Sequence, residues 1–156
     1  MSKPEGNQPS ISSFFNVTFN IVHEDWSIYT LEGGSKLRTR VILVSLKSSQ
    51  LPVKKGVSIN IEYQVITKAD VSPNSRGPSG HPALPEEISD PVNHGGQEVS
   101  VISSTEPWNE YIFENGRIKL KLVLNKLWRL NNRYDNTGDP VYITNYSVLN
   151  NVEFSV

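Results

Sequence analysis

Residues 24–34 read Glu-Asp-Trp-Ser-Ile-Tyr-Thr-Leu-Glu-Gly-Gly, and residues 106–116 read Glu-Pro-Trp-Asn-Glu-Tyr-Ile-Phe-Glu-Asn-Gly. At an offset of 82 residues, Glu24, Trp26, Tyr29, Glu32 and Gly34 fall on Glu106, Trp108, Tyr111, Glu114 and Gly116, while Leu31 falls on Phe113. The shared pattern is E-x-W-x-x-Y-x-[LF]-E-x-G. Identities alone do not establish a repeat, but turn chemistry adds to them. Asn115-Gly116 is a preferred two-residue type I′ hairpin turn, and closing there pairs Glu114 with Arg117, Phe113 with Ile118, Tyr111 with Leu120 and Glu110 with Lys121. Apolar then meets apolar, and acid meets base. The first copy is one residue longer, and a three-residue loop Gly33-Gly34-Ser35 pairs Glu32 with Lys36, Leu31 with Leu37 and Tyr29 with Thr39. One insertion therefore restores a common register, with Tyr and Leu or Phe on one face and charges on the other.

Outward from these hairpins the chain reads as extended. Phe15, Val17, Phe19 and Ile21 alternate with Asn16, Thr18 and Asn20, the period-two signature of a half-buried strand. Similar runs occur over 26–32, 37–46, 57–67, 98–102, 108–114, 118–130 and 140–156. These runs are dense in Val, Ile, Tyr and Phe and lack the three-and-four spacing of an amphipathic helix, so at most a short helical turn is predicted. Residues 70–97 hold five Pro and four Gly and cannot continue a ladder. The predicted organisation is a flexible leader at 1–13, a first β repeat at 14–69, a Pro/Gly-rich connection at 70–97 and a second β repeat at 98–156. Together they form one compact all-β domain of about eight mostly antiparallel strands, a barrel or sandwich with an internal pseudo-two-fold. An irregular sandwich without symmetry is the alternative.

Composition bounds the rest. The 156 residues, 37% of them apolar and including three Trp, six Tyr and five Phe, suit one globular domain rather than a disordered chain. With no cysteine there are no disulfides, thiolate chemistry or cysteine-held metal. No run reaches the roughly 18 to 20 apolar residues that span a bilayer, and Met1–Ser10 lacks a secretory apolar core, so the expectation is a soluble, cytoplasmic protein without membrane partners. A net charge of −1 excludes a histone-like basic domain.

Chemistry-bearing patterns are few. His23, His81 and His94 are scattered, and only His23-Glu24-Asp25 groups potential ligands, on a strand end whose neighbours point to opposite faces. The oxygen-rich run 134–140 lacks the ligand spacing of a calcium loop and reads as a turn. Phosphate-binding glycine motifs, a nucleophile elbow and a zinc-helix motif are absent from the sequence. The expectation is therefore no enzyme, no catalytic residues, no metal and no cofactor. The more specific signal is cationic: residues 33–61 and 115–134 carry Lys and Arg without any acid. Arg38 and Arg40 share a strand face, as do Lys119 and Lys121, and Arg129 and Arg133 lie beside Trp128 and Tyr134. These eight residues are the candidate binding set, since cations interleaved with stacking surfaces suit single-stranded nucleic acid or another polyanion. A solvated face whose cations pair with Glu32, Glu110 and Glu114 is the competing reading. Trp26 and Trp108 fall on the face opposite Tyr29 and Tyr111, unless a bulge near Asp25 and Pro107 turns the indoles to the core edge. The leading expectation is a non-catalytic β-rich interaction or assembly module acting on another protein or on itself, with nucleic acid the alternative partner.

Overall fold

Alternation along Lys36–Leu43 builds strand β4 (Lys36–Ser48), in which Leu37, Thr39, Val41 and Leu43 are buried while Arg38 and Arg40 look outward. The structure, a computed structural model, describes residues 13–155; the leader assigned to 1–13 lies, but for Ser13, outside the described residues. Ahead of β4 come β1 (Phe15–Asn16), β2 (Phe19–His23) and β3 (Ser27–Leu31), and after it β5 (Ile59–Asp70). The second half supplies β6 (Gly96–Glu98), β7 (Val101–Thr105), β8 (Trp108–Phe113), β9 (Gly116–Tyr134) and β10 (Pro140–Phe154). After the first half's strands come a 3-10 turn at Pro73–Ser75 and α1 (Pro85–Ser89). No helix of the described residues is long and apolar enough to cross a membrane.

The strands form two five-stranded antiparallel sheets, a sandwich and not a closed barrel. In the first sheet β4 is flanked by β5 on one side and by β3 and β1 on the other, with β7 added beyond β3. In the second sheet β9 is flanked by β10 on one side and by β8 and β6 on the other, with β2 added beyond β8. The inner faces share one main core, where Val17, Val41, Leu43, Leu46 and Val53 meet Tyr111, Phe113, Ile118, Leu120 and Leu122. A second cluster joins Tyr29, Leu31 and Leu37 to Leu127.

Among the described residues the expected eight strands are ten, because two runs that read as continuous break and change sheets. Phe15–Asn16 pairs with β4, and the chain then crosses at Val17 so that Phe19–His23 pairs with β8. Likewise Gly96–Glu98 pairs with β9, and after Val99 the chain crosses so that Val101–Thr105 pairs with β3. At each crossing the valine N–H keeps one bond to the strand being left, Val17 to the Leu46 carbonyl at 2.8 Å and Val99 to the Leu127 carbonyl at 2.9 Å.

Both hairpins form, and both start their turn one residue earlier than expected. Tyr111 faces Ile118 and Ile112 faces Arg117 across β8–β9, so the turn is Glu114-Asn115, with a positive φ at Asn115 alone where a type I′ turn needs two. Tyr29 faces Leu37 and Thr30 faces Lys36 across β3–β4, and Leu31 and Ser35 enclose the loop Glu32-Gly33-Gly34. The register moves by two residues in each, so every side chain keeps its expected face. Packing explains the shift. Gly116 sits in the strand beneath the Phe113 ring, where a Cβ would overlap the ring, and the Asn115 amide reaches the Val53 carbonyl at 2.8 Å.

The connection is ordered against the second half. Gly77 lies under the Tyr134 ring and donates to the Gly138 carbonyl at 3.0 Å, Arg76 bonds Asp139 at 3.1 Å, and Arg133 holds Glu87 of α1 at 2.9 Å.

Candidate functional site

Because β3 and β1 lie on the same side of β4 but at its opposite ends, the middle of β4 has no strand neighbour there. Its polar backbone must be met otherwise. Asn109, buried on β8, donates from its amide to the Val41 carbonyl at 3.0 Å and accepts from the Asp25 N–H at 3.0 Å. The same interruption occurs along β9 between β8 and β6, where the Leu124 N–H donates to Glu106 Oε2 at 2.8 Å.

Two tyrosine–carboxylate contacts seal these places, and each joins one half of the chain to the other. The Tyr29 hydroxyl donates to Glu106 at 2.8 Å, and the Tyr111 hydroxyl donates to Glu24 at 2.5 Å. Both rings are buried. Burial, and then the hydrogen bond to a carboxylate, push both phenols well above the ordinary tyrosine range. The carboxylates differ in their remaining partners. Glu24 also takes the Arg40 guanidinium at 3.0 Å, whereas Glu106 has no cation partner among the described residues. Glu106 instead borders an open cleft of about 600 Å³ whose walls include Tyr29, Glu98, Asn125 and Lys126.

The candidate cations divide between the two outer faces. Arg38 and Arg40 look out from the first sheet, over the Trp26 ring at 4.9 and 5.7 Å, and each is ion-paired, Arg38 to Asp70 at 2.8 Å and Arg40 to Glu24. Lys119 and Lys121 look out from the second sheet on the opposite side of the sandwich; Lys119 faces Glu110 in the ladder, and Lys121 lies 5.8 Å from the Trp108 ring. The two basic pairs are therefore not one surface. Arg133 is spent on Glu87, Arg129 reaches the Ser75 carbonyl at 3.5 Å, Trp128 faces Glu98 and Ile143 in the ladders, and Tyr134 packs over Gly77. The indoles stay on the outer faces beneath cations, so the bulge expected to turn them to the core edge does not do so.

Other sequence features resolve simply. His23 lies 3.8 Å from Asp25 and 3.6 Å from Glu110 at a half-exposed strand end. Among the described residues no group of three His, Asp or Glu could hold a metal ion. The run 134–140 is a turn closed on itself, with Asp135 accepting from the Thr137 hydroxyl at 2.7 Å and from the Asp139 N–H at 3.0 Å. The Thr137 hydroxyl, with the Thr137 and Asp139 N–H groups, holds the Asp135 carboxyl below its usual range. The Leu84 N–H and then Arg133 do the same for Glu87.

The chain matches no protein-family model, no curated protein and no solved structure. What sequence reasoning missed were the two glutamates as cross-links between halves. The signal was present, since Glu and Tyr are both identities of the repeated pattern, but a pattern within one copy does not say that its Glu bonds the Tyr of the other.

Proposed function

We propose that the chain is a non-catalytic β module working through protein–protein contacts, built from one β unit used twice about an internal two-fold. The duplication is supported by registers that coincide along both hairpins and at the ends of the exchanged strands, while within those strands the irregularity falls between Ile21 and His23 on β2 but between Val101 and Ser103 on β7, which offsets the intervening pairs by one residue. Phe15 opposite Ser48 corresponds to Gln97 opposite Arg129, Phe19 opposite Phe113 to Val101 opposite Leu31, and His23 opposite Glu110 to Thr105 opposite Ile28. The irregularity between Leu43 and Ser45 in β4 reappears between Leu124 and Lys126 in β9. Agreement of these pairings and of the β4 and β9 irregularities is the consequence expected of two copies of one architecture.

The observation that carries the functional reading is the edge strand β10. It is fifteen residues long, pairs among the described residues with β9 alone, and carries a single charge, Glu153. Tyr146 and Leu149 on it are exposed. Edges that avoid association are short, charged or interrupted by proline, and β10 has its only proline at its first residue. It is suited to receive a strand from a partner protein or from a second copy in the cytoplasm. Sedimentation and light scattering across concentration test this. Self-association, or retention of a defined partner, that disappears in Tyr146→Lys/Leu149→Lys with unchanged circular dichroism is the expected result; a monomer at every concentration that retains no partner would sink it.

A second reading, a single-stranded nucleic acid or polyanion contact, is favoured by Lys119 and Lys121. Neither has an ion-pair partner among the described residues, and Lys121 lies over an exposed indole. Binding that falls steeply with salt and weakens in Lys119→Ala is its expected mark.

A further inference from the structure

Glu24 and Glu106 occupy corresponding places, each two residues before a tryptophan and each accepting from the buried tyrosine of the opposite half. On Glu24 one carboxylate oxygen takes the tyrosine and the other takes Arg40 Nη2. On Glu106 the same oxygen, Oε2, takes both Tyr29 and the Leu124 N–H, and the second oxygen has no partner among the described residues. The residue corresponding to Arg40 is Lys121, which faces Trp108 across the hairpin ladder and lies over its ring instead of reaching the carboxylate. A cleft of about 600 Å³ opens beside Glu106. Glu24 thus holds a tyrosine of the opposite half and a guanidinium, whereas Glu106 holds a tyrosine of the opposite half and faces a cleft.

We propose that this cleft is a guanidinium site, taking an arginine side chain on Glu106 as Glu24 takes Arg40. The proposal rests on the duplicated-unit reading given above. A guanidinium suits the place better than an ammonium because the bond it would copy, Arg40 Nη2 to Glu24, is made by a planar fork that presents several N–H groups towards a carboxylate, which a single point charge on a flexible stem does not do. The charges of the cleft agree with a cationic occupant: Glu98 and Glu106 stand against Lys126, which forms no ion pair among the described residues. Lys126 is the resident competitor, and its removal favours the ligand. The ligand chemistry is shared by free arginine derivatives and by an arginine on a partner's loop.

Titration of the full chain with N-acetyl-arginine amide, followed by amide NMR, tests the site. Shifts centred on Tyr29 and Leu124 are expected, with weaker effects from the lysine amide and none from the citrulline amide. Glu106→Gln keeps an acceptor for Tyr29 and should weaken binding about tenfold or more, whereas Lys126→Met should strengthen it. An arginine peptide that binds about tenfold more tightly than the amide assigns the site to a protein partner; equal affinity assigns it to a small molecule. Absence of arginine-dependent shifts, or shifts indifferent to Glu106→Gln, overturns the site. Lys121→Arg separates that failure from failure of the duplication. If the new guanidinium closes on Glu106 and blocks the titration, both stand. If it closes on Glu106 while the wild type binds nothing, the duplication stands and the site falls. If it stays on Trp108, the correspondence of the halves falls with it.

Discussion

Tyr29 and Tyr111 are the residues on which the two halves depend most directly. Each is buried, and each gives its only hydroxyl proton to a carboxylate of the other half. Removing one hydroxyl leaves a carboxylate short of a donor, so Tyr29→Phe and Tyr111→Phe should each lower stability by about 1–3 kcal/mol in urea titrations, with the larger loss for Tyr111→Phe, because the Glu24 carboxylate is buried while Glu106 borders a cleft open to water. Alkaline pH probes the same contacts. The folded phenols titrate above their unfolded value, so folding favours the protonated form. Their contribution is complete below the ordinary tyrosine range near pH 10 and is lost as pH climbs from there towards the folded values. Ultraviolet titration should therefore show two of the six tyrosines ionising late and together with unfolding. The Tyr29→Phe/Tyr111→Phe chain should lose less stability between neutral pH and the alkaline range than the wild type. An equal loss would mean that these hydroxyls do not carry the alkaline transition.

At the scale of elements, the hairpins show where local sequence sufficed and where it did not. The alternation Tyr29, Leu31 and Tyr111, Phe113 fixed the buried face, and the single extra residue in the first turn was legible from Gly33-Gly34 against Asn115-Gly116. The start of the turn was not, because Asn-Gly is a preferred turn pair on its own and only tertiary packing gives Gly116 another use. In the fold it supports the Phe113 ring, which in turn meets Phe154 edge-on at 6.3 Å between centroids. A methyl at position 116 must displace that ring, so Gly116→Ala should cost about 1–3 kcal/mol. Phe113→Ala introduced first should remove much of that cost, a coupling measurable as a double-mutant cycle in denaturant. Additive losses would return Gly116 to the turn. The paired cations have a similar lesson. Arg38 and Arg40 lie in a window without acids, and the acids expected to face the cations were Glu32, Glu110 and Glu114; Asp70 and Glu24 neutralise these two instead, once β5 and the β2–β3 link fold alongside.

At the scale of the whole molecule, the feature hidden from sequence is the exchange of strands. Both crossings occur inside runs that alternate regularly, at Val17 and Val99, with no glycine or proline to mark them, because the crossing needs only a residue that can point into the core while its N–H keeps one bond. The consequence is that neither half completes its own sheet: β2 forms an edge of the second sheet and β7 an edge of the first. The main core is likewise made jointly, with Val41 and Leu43 against Ile118 and Leu120. A half taken alone would expose that apolar surface and leave Tyr29 or Tyr111 without its carboxylate, so its burial could not offset the entropy of ordering the chain. Cutting between Ser79 and Gly80, both exposed, should therefore give two fragments that are unfolded separately and regain strand circular dichroism when mixed in equal amounts, with a midpoint that depends on concentration as for any associating pair. Glu24→Ala in the first fragment should weaken reconstitution, since it removes the acceptor for Tyr111 on the second. If residues 1–79 instead unfold cooperatively by themselves, the halves are independent domains, and the exchanged strands do not govern the stability of the whole.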